Sequence, residues 1–350
     1  MTKYLAIILI AFLMNGDNLD GYFSNKEAAA DLNSINLKGS FRELVIVVGY
    51  PDRDNSYPVL QNNDKFPLLG AFPDGRLLSD LVTSKGGTLS ADEWYKPALN
   101  HYFNSLSGGM YTVNFEFLKQ KDGKAYTTRN TLDYWIKKNN GADDAIWNYW
   151  PEMLNEVSEG IYADNKKAFS GVNAIHIVFT GINKNEFNTQ HGGTISWDAR
   201  LKDSKGNMLY EGPVSIQRDL SSIAHERLHI IGKLQGSPKG FDGFPDRGYD
   251  VEAGESHSNI SWGYDMMFHN ASIPSQHSLY GLQPLISHDL IFLGWIRLEE
   301  ILTINAKNYK KYGELKLADV NYPLSSTQLK QGFHRIVKIM VRENFYAKRD

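Results

Sequence analysis

The sequence predicts a core of α/β or α+β class followed by a small β-rich C-terminal extension. Three observations carry this. Continuous β-branched runs alternate with amphipathic helical stretches as far as about residue 233. The stretch from Gly236 to Ser261 is dominated by Gly, Pro, Asp and Ser and reads as one long loop. From Arg297 onward, "ILTINA", "GELKLADV" and "HRIVKIMV" alternate like strands. With 350 residues, 42% of them hydrophobic, the chain can bury a sizeable core in one large domain or two smaller ones.

The N-terminus, "MTKYLAIILIAFLMNGDNLDG", places Lys3 before an apolar run from Tyr4 to Met14. That run is shorter than the roughly 20 residues that span a bilayer and fits a secretory signal, with Asn15-Gly16 as its small-residue exit. The expected organisation is a signal peptide over 1–16, a polar arm over 17–40, a main domain over 41–296 and a β-rich extension over 297–350. The mature chain is expected to be secreted, extracellular or periplasmic, with no stable membrane insertion after signal removal.

"ELVIVVGYPD" (Glu43–Asp52) reads as a buried strand ending in a turn. Asp52 and Asp54 beyond it can bind a structural Ca2+, or are simply solvated loop carboxylates. In "SADEWYKPALNHYFNSLSGG", Ser90 and Glu93 have capping-box spacing, and Trp94, Ala98, Tyr102 and Leu106 recur every four residues, so a helix is predicted. Pro97 is tolerated best near a helix start, so the regular helix is expected to begin later than Ser90. "MYTVNFEFL" alternates as a strand. "DDAIWNYWPEMLNEVSEG" (143–160) reads as a helix with a kink at Pro151, and "VNAIHIVFTG" (172–181) as a second buried strand. Within it, His176 reads as a satisfied core histidine. "GGTISWDARL" (192–201) is a shorter strand, either an ordinary one or an edge on which an extended peptide docks antiparallel. "RDLSSIAHERLHIIG" is a helix, and "SHDLIFLGWI" a short amphipathic one ending at Gly294.

A net charge of −3 gives no basic excess to attract nucleic acid. The chain has no cysteine, which excludes disulfides, thiolate zinc sites and a cysteine nucleophile. Any metal must therefore be held by His, Asp, Glu or another oxygen donor. No Gly-rich phosphate loop and no G-x-S-x-G elbow occur.

The chemistry concentrates in "AHERLHIIG" (224–232), an H-E-x-x-H pattern. On a helix, His225 and His229 share one face a turn apart and can chelate one Zn2+. Glu226 stands beside them, placed to take a proton from the attacking water as general base. Ile223, Ala224, Leu228 and Ile231 supply a buried side, and Gly232 a stopping point. Arg227 must point to solvent or find a partner. A catalytic zinc needs a third protein ligand, and the simplest spacing would place it at Gln235, a poor donor.

Several of these pieces together resemble the immune inhibitor A and gametolysin type of secreted zinc metallopeptidases, in the metzincin group. They are "ELVIVVGYPD", "EWYKPALNHYFNSLSGGMYTVNF", "HERLHIIG", "WGYDMMFHN" (262–270) and "ISHDLIFLGWI", in the family's order over about residues 42 to 296. The resemblance implies a metzincin-like zincin domain: a twisted mixed sheet with an active-site helix. It also implies hydrolysis of peptide bonds in a protein or peptide substrate, and a Met-turn with Met267 beneath the metal. Tyr264 and His269 can stabilise an oxyanion, or are ordinary loop residues. The family's third ligand is a His or an Asp after the glycine turn, often beside an aromatic. This points first to Asp242, next to Phe241 and Gly243, with Gln235, Asp246, Asp250 and His257 as alternatives. Two rival readings stand beside this one. A metallopeptidase-like binding protein without catalysis is favoured by Gln235 and Arg227 and opposed by Glu226. A zincin of another class would use Glu252 or Glu255 as third ligand.

Overall fold

The computed structural model describes residues 35–61, 86, 88–141, 145–182, 193–217, 220, 223–234, 244, 287–304, 311, 315–318 and 323–339. Residues 1–16, expected to be a signal peptide, and most of the expected polar arm lie outside them.

Strand β1 (Gly39–Gly49) comes first, and β2 (Val59–Gln61) and β3 (Thr88–Ser90) form a small antiparallel pair before helix α1 (Ala91–Leu106). There follow β4 (Tyr111–Leu118), β5 (Tyr126–Thr127), α2 (Leu132–Lys138), α3 (Ala145–Asp164), β6 (Ala174–Phe179), β7 (Gly193–Lys202), β8 (Met208–Gln217) and α4 (Ile223–Ile230). Beyond residues 235–286, of which only Phe244 is described, come α5 (Ser287–Phe292), β9 (Ile301–Ile304), β10 (Lys316–Leu317), α6 (Ser326–Lys330), β11 (Phe333–His334) and β12 (Ile336–Ile339).

The main sheet runs in the order β4-β1-β6-β8-β7, with β5 also beside β1. β1 is parallel to β4, β5 and β6, β6 is parallel to β8, and only β7 is antiparallel, against β8. Helices cover both faces, so the fold is α+β around a mixed sheet. β1 shows why its sequence is an unbroken apolar run. Val45 and Val47 face the core shared with α1, α4 and α5, while Leu44, Ile46 and Val48 face the core under α2 and α3.

Helix α1 begins directly at Ala91, earlier than Pro97 suggested, because Ser90 and Glu93 form a reciprocal capping box. Pro97 sits inside the helix. Tyr95, Leu99, Phe103 and Leu106 are all buried, and this packing offsets the hydrogen bond that proline cannot give. The buried stripe is thus centred one residue from the predicted one. Ala98 is only partly buried, since a four-residue spacing outruns the 3.6-residue turn and drifts around the axis.

Among the elements not foreseen in the sequence are α2 and β8. α2 is capped by Thr131 and by Asp52, whose carboxylate accepts from the backbone N–H of Leu132 (2.8 Å) and of Asp133 (3.3 Å). Asp54 accepts from the backbone and hydroxyl of Ser56 at 2.9 and 2.6 Å. Both aspartates considered for calcium therefore have protein hydrogen bonds. β8 contains Gly212 and Pro213, which read as strand breakers. Ser196 pairs with Val214 and Ala199 with Gly212, so Trp197 and Asp198 bulge opposite Pro213, where no N–H is available.

The loop after β1 passes close to Gly181, which follows β6. A Cβ there would lie 2.2 Å from the Asp54 carbonyl oxygen, at a φ of +73°. Gly181→Ala is expected to destabilise the fold by at least about 1–3 kcal/mol, read as a lowered thermal midpoint.

The C-terminal segment forms two short parallel pairs, β9 with β12 and β10 with β11, together with α6. It is tied back to the residues after α5. Buried Arg335 donates to the Trp295 carbonyl (3.0 Å) and the Glu300 carboxylate (3.2 Å), and Glu300 also accepts from Leu324 N (2.8 Å). The described end of the N-terminal arm meets the same region. Ile35 N and Leu37 N donate to the carbonyls of Phe292 and Leu293, and Trp295 Nε1 donates to Leu37 O. Among the described residues, no helix is long and apolar enough to cross a membrane.

Candidate metal centre

Helix α4 has eight residues and continues into a 3-10 turn, Ile231–Lys233. Such a short helix takes its stability and orientation from packing rather than from its own hydrogen bonds. Ala224, Arg227, Leu228 and Ile231 recur at helical spacing and are all buried, forming the inward stripe. His225 and His229 are half-buried on the opposite side, and Glu226 is buried at its flank.

The three predicted side chains come together. Their ligand atoms lie within 4.8 Å of one another. The Nε2 atoms of His225 and His229 face each other at 3.1 Å. Two nitrogens about 2.0 Å from one tetrahedral zinc would be roughly 3.3 Å apart, so the imidazole pair fits that ion. His229 is also fixed from behind, its Nδ1 lying 2.6 Å from the carbonyl oxygen of Phe244. A carbonyl can only accept, so Nδ1 carries the proton and Nε2 presents its lone pair towards His225. This ring orientation, held by a backbone carbonyl, is the kind that supports metal-bound histidines. Phe244 N in turn donates to Leu228 O at 3.2 Å, so this one residue clasps the end of α4 twice.

Asp242, the first choice for third ligand, lies outside the described residues. So do Gln235, Asp246, Asp250, Glu252, Glu255, His257, Tyr264, Met267 and His269.

Arg227 finds its partner inside the protein. Its Nε and Nη2 donate to Glu43 Oε1 at 3.2 and 2.9 Å, and Nη2 also donates to the Tyr111 hydroxyl. The guanidinium carbon lies 5.5, 5.0 and 4.9 Å from the ring centres of Phe41, Phe103 and Tyr111. The other Glu43 oxygen is 2.8 Å from His176 Nε2, and His176 Nδ1 is 2.7 Å from Ser215 Oγ, to which Gln217 Nε2 donates. His176 is thus the satisfied core histidine expected. Strand alternation explains this polar line: Glu43, His176, Ser215 and Gln217 occupy the strand positions that face α4, across β1, β6 and β8. Burial raises the Glu43 carboxyl, but the Arg227 charge and His176 outweigh it and hold its pKa below the usual carboxylate range. Burial disfavours the Arg227 charge as well, and Glu43 more than restores it.

Sequence reasoning did not single out Glu43. The available signal was a carboxylate opening a strand buried on both faces, together with an arginine on the inward stripe of a helix. "GGTISWDARL" lies in β7, which among the described residues pairs only with β8 and so forms a sheet edge. Neither a comparison with protein-family models nor one with curated proteins finds a match for this chain.

Proposed function

We propose that the chain is a secreted zinc-dependent endopeptidase of the immune inhibitor A and gametolysin type, with a metzincin-like catalytic domain. The observation that carries the reading is the convergence of the two imidazole Nε2 atoms at 3.1 Å, with the His229 tautomer set by Phe244 and Glu226 alongside. His225 and His229 hold the zinc. Asp242 is the proposed third ligand. In sequence it stands two residues before Phe244, whose carbonyl is bonded to His229, and Asp246, two residues after Phe244, is the first alternative.

Bound zinc supplies Lewis acidity that polarises the scissile carbonyl and acidifies water. Glu226 accepts the proton of the attacking water and delivers it to the leaving amine. Its burial among apolar helix neighbours keeps bulk water from competing for that proton. Strand β7, at the edge of the sheet among the described residues, is where an extended peptide would lie antiparallel. Arg227 no longer favours a decayed site, because its charge is matched by Glu43.

The test is metal analysis of the purified protein beside His229→Ala and Asp242→Ala, with a peptidase assay on an unfolded protein substrate. About one zinc per chain, lost in His229→Ala, is expected. Full zinc in Asp242→Ala would move the third ligand to Asp246 or beyond. A wild-type chain that takes up no zinc would overturn the reading in favour of a binding protein.

A further inference from the structure

We infer that the buried Glu43–Arg227 pair is a positioning device for the metal helix, setting the rotation at which His225, Glu226 and His229 are presented. The inference rests on the zinc reading above.

The geometry is specific. Around the helix axis Arg227, two residues from each histidine, is about 160° from both, on opposite sides, so it marks the back of the helix whose front carries the imidazoles. Around it, Ala224, Leu228 and Ile231 make apolar contacts that hold the helix down but tolerate rotation and sliding. The guanidinium does not. Nε and Nη2 converge on one Glu43 oxygen, Nη2 also reaches Tyr111, and three aromatic rings surround the group. Glu43 is itself immobile. It sits on β1, an interior strand of the sheet, in register with Phe115 of β4 and Ala174 of β6, and its second oxygen is held by His176. The rotation of an eight-residue helix is thereby referred to an interior strand of the sheet.

Stability is a poor reason for such a pair. Both side chains are fully buried, and a buried ion pair commonly returns little more than its desolvation cost. The network is also incompletely satisfied: Arg227 Nη1 and Gln217 Oε1 are buried without a hydrogen-bond partner. An apolar residue in the middle of this inward stripe would pack at least as well. What the pair adds is direction, and direction matters where two nitrogens must converge on one ion.

The test uses the full chain and a double variant, Glu43→Gln with Arg227→Met, which removes both charges while leaving His176 an acceptor. Two quantities are measured: the thermal midpoint of the chelator-stripped protein, and zinc affinity by competition with a chromophoric chelator. The visible spectrum after Co2+ loading reports ligand geometry directly. Expected are a stripped midpoint close to wild type, zinc affinity weakened by about tenfold or more, and an altered Co2+ spectrum. Wild-type affinity and an unchanged spectrum in the folded double variant would overturn the inference while leaving the zinc reading intact. If the double variant does not fold, Arg227→Lys replaces it, since one ammonium keeps the charge but cannot reproduce the guanidinium's fixed geometry. Weakened zinc binding in that variant supports the inference, and wild-type binding overturns it. A wild-type chain that takes up neither zinc nor Co2+ overturns the zinc reading and this inference with it.

Discussion

Glu226→Gln is expected to retain about one zinc per chain and to lose peptidase turnover by about 10²–10⁴-fold, the contribution typical of a positioned general base. The substitution keeps the volume and the hydrogen-bonding outline of the side chain, so α4 and its two imidazoles should stay in place. What disappears is basicity at an atom close to both histidines. The loss should fall on kcat rather than on KM, because the proton moves in the transition state and not on binding. Metal content and turnover must be measured on the same preparation. Undiminished turnover with zinc bound would remove Glu226 from the mechanism, and loss of the metal itself would make it a ligand instead of a base.

The second large effect concerns stability. Arg227→Ala should destabilise the protein by about 3–5 kcal/mol, because it leaves the Glu43 carboxylate buried without its counter-charge and empties a cage of three aromatic rings. In denaturant unfolding this appears as a lower midpoint at nearly constant slope. Glu43→Ala should cost a similar amount, and combining the two should cost far less than their sum, since the residues are in direct contact. Strict additivity would mean that the pair is not coupled in solution.

How much of this was legible in the sequence depended on range. β1, β4, β6, α1, α3 and α5 announce themselves through local periodicity, and α4 through the spacing of its histidines. α2 spans only seven residues, and part of its N-terminal capping comes from Asp52, 80 residues earlier. β8 was hidden by Gly212 and Pro213, which a strand accommodates only because β7 bulges opposite them. The same limit applies at the site. Its front face is a local motif, whereas its back is fixed by Glu43, 184 residues away from Arg227 in sequence. The Phe244 carbonyl on His229 involves main chain, which carries no side-chain signature to read.

The interior position of β1, between β4 and β6, has a consequence for biosynthesis. Its register pairs Glu43 with Phe115 on one side and Ala174 on the other, a separation of 131 residues in the second case. At about 5–20 residues per second, the nascent chain exposes this apolar strand for roughly 7–26 s before its second neighbour has been made. A strand that ends up almost wholly buried is therefore a long-lived sticky segment on the ribosome, and one for a chaperone to shield.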